Sequence, residues 1–150
     1  MIRKTILFHS ALRLLSLLMI VMAASSLYAS TGDSDQESAV DLTGTWSGKF
    51  VSKNPETPSF TMTVVINPDS RGNLIGKSTL NSRCLKHAQL KVMVEGSKIV
   101  LAGSDEQGDN ITVRGTVDQT GTILNSTYIL DGSATGRCEI DNGAGTLTKQ

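Results

Sequence analysis

The chain has 150 residues, with 14 Lys plus Arg against 14 Asp plus Glu, and aromatic residues make up only 4%. No basic patch with interleaved aromatics occurs, which excludes nucleic acid as a partner. The length suits one domain with one core.

Residues 1–29 read as a secretory signal peptide. Arg3, Lys4 and Arg13 supply a positive start, Leu14 to Ala24 run almost without polar interruption, and Leu27-Tyr28-Ala29 ends in the small residue that a signal peptidase requires. The apolar run is shorter than the roughly 20 residues that span a bilayer, so no stable membrane anchor is expected after cleavage. Removing three basic and no acidic residues leaves 11 minus 14, a net charge of −3. Residues 30–40, STGDSDQESAV, lack periodicity and are rich in Ser, Asp and Gly, the composition of a solvated tail or spacer.

From Thr43 onward, β-branched and polar residues alternate in short runs, broken by Gly, Pro, Asn and Asp about every 8–12 residues, which predicts an all-β sandwich or barrel. The expected strands are Thr43–Val51, Phe60–Asn67, Leu74–Leu80, His87–Glu95, Lys98–Ala102, Ile111–Asp118, Thr122–Leu130 and Gly145–Lys149. Short turn-rich connections between them favour hairpins. Phe60, Met62, Val64 and Ile66 share one face of their strand, and Ala88, Leu90, Val92 and Val94 share one face of theirs. A continuous meander with one wet face closes most simply into an antiparallel up-and-down barrel of about eight strands, occupying residues 41–150.

The stretch DLTGTWSGKF, residues 41–50, places Leu42, Gly44, Trp46, Gly48 and Phe50 on one parity, so the only tryptophan points inward. Gly44-Thr45-Trp46 resembles the Gly-x-Trp opening of lipocalins. With Phe60-Thr61-Met62-Thr63, it is also similar to the first hairpin of the avidin family, and both belong to calycin-type barrels. The resemblance implies a basic residue closing the barrel over Trp46; Lys149 fits by position, with Arg137 as the alternative. It also implies an interior that could hold a small apolar ligand, with Trp46, Phe50, Phe60, Met62 and Tyr128 as its lining. The extra tryptophans that wall the biotin site of avidins are absent. Whether the inward residues line a cup or fill the barrel is left open by their parity.

Cys84 and Cys138 are the only cysteines, and in an oxidising compartment such a pair closes a disulfide. Together with the signal peptide this points to a secreted or periplasmic protein. His87 lies three residues after Cys84, half of a metal site at most, and no second mature histidine joins it. No HExxH, Gly-x-Ser-x-Gly or phosphate-binding glycine loop occurs, so neither catalysis nor a cofactor is expected. The remaining expectation is a binding protein. It would either carry a small apolar ligand inside the barrel or bind an exported protein, for instance as a hydrolase inhibitor, through rim loops Lys53–Ser59 or Asn81–Lys86.

Overall fold

A computed structural model describes residues 40–132 and 136–150. The expected signal peptide and nearly all of the expected tail lie outside the described residues. The strands are β1 (Gly44–Ser52), β2 (Phe60–Pro68), β3 (Leu74–Leu80), β4 (His87–Glu95), β5 (Lys98–Ser104), β6 (Asn110–Val117), β7 (Ile123–Asp131) and β8 (Asp141–Lys149). Each pairs antiparallel with the next, and β8 returns to β1 in register Trp46↔Lys149 and Phe50↔Gly145, closing an eight-stranded barrel. The expected all-β meander is therefore the fold. The largest difference in boundaries is at β8, which begins four residues earlier than the alternation indicated, at Asp141 instead of Gly145.

The barrel has two distinct ends. The Trp46 end receives the chain entering β1, the β2–β3, β4–β5 and β6–β7 turns, and the C-terminus. The opposite end carries the connections β1–β2, β3–β4, β5–β6 and β7–β8. Inward positions alternate with exposed ones, most regularly along β7, where Leu124, Ser126, Tyr128 and Leu130 are buried and their neighbours exposed.

A barrel of eight strands has an interior about wide enough for side chains alone. Here the strands bend toward one another at inward glycines. A Cβ added at Gly48 would lie 1.8 Å from the carbonyl oxygen of Thr146, and one at Gly103 would lie 1.7 Å from that of Gln89. These are backbone atoms, which cannot swing aside as a side chain would, so the close strand approach requires glycine. Gly48→Ala is expected to cost at least about 2 kcal/mol by forcing β1 and β8 apart, read as a lower midpoint in urea unfolding. An unchanged midpoint would show that the two strands have slack.

The β6–β7 turn is organised by one carboxylate. Asp118 accepts hydrogen bonds from the Thr120 hydroxyl and from the backbone N–H groups of Thr122 and Ile123, the latter two at 2.9 Å. These donors, the Thr120 hydroxyl first, lower its pKa from 3.8 to about 2. A depressed folded-state pKa means that the stabilisation is complete above the unfolded value and disappears as pH falls through the folded one. Asp118→Ala should therefore narrow its stability deficit relative to wild type as pH falls from 3.8 toward 2 in acid unfolding curves. A deficit that stays constant across that window would remove the carboxylate from the account.

Candidate functional site

The sequence-predicted lining residues come together inside the barrel, in two layers. At the first end Trp46 is 1% exposed and its indole N–H donates to the Leu42 carbonyl at 2.9 Å, folding residues 41–43 back beneath the ring. Lys149 Nζ lies 6.0 Å from the Trp46 ring centroid and donates to the Asp41 carbonyl at 2.7 Å, with the Asp41 carboxylate 3.6 Å away. Six ångströms is the outer limit of a useful cation–π contact, so Lys149 holds the entering chain chiefly by its hydrogen bond. Asp41 is kept below the ordinary carboxylate range first by the Thr43 hydroxyl, with Lys149 a lesser influence. Arg137 lies at the other end of the barrel, paired with acidic residues there.

Toward the opposite end Phe50, Phe60 and Tyr128 form one aromatic cluster. Phe50 and Phe60 stack at 5.3 Å, and Tyr128 meets both edge-on, at 5.5 and 5.0 Å. Met62 is fully buried in the same core. The Tyr128 hydroxyl donates to Asp141 at 2.6 Å, and Ser52 donates to the other oxygen of that carboxylate. Burial first, then the Asp141 hydrogen bond, raises the Tyr128 pKa far above its ordinary range, so the phenol is a permanent donor. The network anchors the aromatic cluster to the first residue of β8.

This end is roofed. The β3–β4 and β7–β8 connections leave the barrel half a circumference apart, yet Cys84 and Cys138 are disulfide-bonded with their Cα atoms 5.1 Å apart. Two connections from opposite walls can meet only by crossing the mouth. Leu85, next to the bridge, is wholly buried, and Ser82 is buried with its hydroxyl on the Leu85 carbonyl. The β5–β6 connection joins them: Asp109, also wholly buried, accepts the backbone N–H of Arg137 at 2.9 Å and of Cys138 at 3.1 Å. The Arg137 N–H is the main influence holding the Asp109 carboxyl below its usual range against its burial. Because Cys84 is committed to the bridge, it forms no metal pair with His87.

A groove lies outside the barrel, where two strands part. β4 and β5 pair only as far as Gln89↔Ser104, while the remaining residues of β4 stay on β3 through Thr79↔His87 and Ser78↔Ala88. β5 instead turns into the Asp105–Asp109 connection, leaving a groove of about 1180 Å³. One wall carries Lys77, Lys86, His87 and Lys91, the other Glu106 and Asp105 with Arg137 paired to it, and Ala88 and Ile111 of the core also line it. Alternation could not reveal this groove, because it arises from where pairing stops and not from which way side chains face. The only sequence trace was a basic Lys86-His87 pair and an acidic Asp105-Glu106 pair at facing strand ends.

No family model and no curated protein matches the chain. Among solved structures, that of EF1p2_mFAP2b bound to DFHBI is similar, with a TM-score of 0.50 and 15% identity over 73% of this chain and 94% of that one. The fold is calycin-like. That likeness and the closed eight-stranded meander carry the fold and leave the ligand to be argued from the residues.

Replacing both cysteines by serine tests the roof. Opening a loop of sequence separation 54 should cost about 4 kcal/mol on the chain-entropy account. Hydrogen exchange should rise first in residues 81–86 and 136–140, with the Trp46 end still protected. Uniform loss of protection would mean that the bridge stabilises the whole barrel with no separable roof.

Proposed function

We propose that the protein is an exported, non-catalytic binding protein whose filled barrel is a rigid scaffold, and that its ligand lies in the groove where β4 parts from β5. The observation that carries this reading is the state of the interior. Trp46, Phe50, Phe60, Met62 and Tyr128 are each at most 3% exposed, and the mouth above them is crossed by the disulfide. The disulfide supports export, since such bonds persist in oxidising compartments. The groove's basic wall and acidic lip suit a polypeptide segment, which offers charges of both signs along an extended chain, better than an apolar molecule. An exported protein is therefore the partner favoured here.

A second reading keeps the small apolar ligand, held among the three aromatic rings after displacement of the roof. It draws on the aromatic cluster itself and on the fold shared with a protein solved in complex with the small molecule DFHBI. Native mass spectrometry of the protein recovered from its exported fraction separates the two. On the groove reading, a polypeptide adduct is present in wild type and lost from the Lys86→Glu/Glu106→Lys variant, whose circular dichroism is unchanged. A small-molecule adduct that survives this double substitution and disappears in Phe60→Leu would instead place the ligand in the interior.

A further inference from the structure

The described residues carry 11 Lys plus Arg and 11 Asp plus Glu, yet the outward strand charges are distributed very unevenly. β3–β6 carry Lys77, Lys91, Lys98 and Arg114, together with His87, against the single carboxylate of Glu95. Strands β1, β2, β7 and β8 carry outward Lys49 against Asp131, which balance. Among the described residues none of the four cations on β3–β6 enters an ion pair: the pairs present involve Arg137 and Lys149. The 11 carboxylates match the 11 cations in number, yet they are not placed against this face.

The cations surround apolar side chains that also face solvent. Met93 is 52% exposed on β4, between Lys91 and Glu95, in register with Val100 of β5, which is itself in register with Arg114 of β6. Strand spacing of about 4.8 Å places Met93, Val100 and Arg114 in one row about 10 Å long, with Lys91 and Lys98 beside it. Ile75, in register with Lys91, is also exposed.

We propose that the outer face of β3–β6 docks on the surface of a bilayer containing anionic lipids. Two features select this partner. The cations are mostly lysines, compact charges that suit a mobile field of headgroups better than a fixed bidentate partner. A soluble polyanion would satisfy those charges and leave Met93 and Ile75 in water, whereas the boundary between headgroups and acyl chains accepts both kinds of side chain. Each cation brought to such a surface multiplies affinity about fivefold, and salt weakens that contribution. The contact is peripheral and reversible, and it goes beyond the groove reading.

The test is co-sedimentation of the mature, disulfide-bonded protein with vesicles of phosphatidylcholine alone or mixed with phosphatidylglycerol, at low and physiological salt. Lys98, Arg114 and Met93 do not line the groove, so their variants leave the groove reading unaffected. Wild type should partition onto the mixed vesicles, much less onto phosphatidylcholine, and less as salt rises. Lys98→Gln/Arg114→Gln should lower the partition coefficient about 25-fold and flatten its salt dependence. Met93→Ser should lower it while leaving the salt dependence unchanged. Absence of binding to the mixed vesicles at low salt would overturn the proposal, as would variants that bind like wild type. So would binding that is insensitive to Met93 and fully displaced by soluble polyglutamate, because the face would then be a site for a dissolved polyanion.

Discussion

Closing eight strands on themselves leaves an interior that side chains can fill completely, and the rest of this structure follows from their doing so. Gly48 and Gly103 let neighbouring strands approach to within contact of backbone carbonyls, which narrows the barrel. Trp46 then occupies one layer and the Phe50–Phe60–Tyr128 cluster another, each fixed by a polar handle: the indole on the Leu42 carbonyl, the phenol on Asp141. Buried polar atoms with partners hold a single packing arrangement where purely apolar contacts would tolerate several. A core of this kind is filled by its own side chains.

The roof and the groove are one arrangement. The strap from Cys84 to Cys138 brings the β7–β8 connection over the mouth, and the backbone N–H groups of Arg137 and Cys138 are then offered to Asp109. A buried carboxylate needs those donors, so the β5–β6 connection is drawn toward β7 and β8. β5 cannot follow β4 beyond Gln89↔Ser104 while its continuation is held elsewhere. The gap between them is the geometric consequence, and Arg137, pairing with both Asp105 and Asp109, borders the gap and fastens the roof at once.

Period-two alternation made most of the barrel legible from the sequence, since seven strands lie within two residues of their expected ends. It failed at the start of β8, where Asp141-Asn142-Gly143-Ala144 has the composition of a turn. That stretch is a strand because β1 and β7 flank it on both sides, and its small residues are what the neighbouring rings demand. A Cβ at Gly143 would lie 2.7 Å from Tyr128, and one at Gly145 would lie 2.5 Å from Phe50. Tertiary packing thus overrides local propensity. The five inward residues proposed as a lining were legible as a set because parity groups them. Whether they enclose space depends on summed volumes and on the strap, neither of which parity carries.

Both outward features fall on the same half of the barrel. Strands β3–β6 hold the groove and the cations that enter no ion pair among the described residues, while β7, β8, β1 and β2 balance their strand charges and close the seam. The division follows from where the acidic residues sit. Asp118, Asp69, Asp105 and Asp109 serve turns and connections by accepting backbone N–H groups, work that ties each carboxylate to its own loop. Carboxylates occupied in this way cannot reach lysines in the middle of a strand. With those carboxylates held at the loops, the β3–β6 strands carry Lys77, Lys91, Lys98 and Arg114 against Glu95 alone, although cations and carboxylates are equal in number over the whole chain.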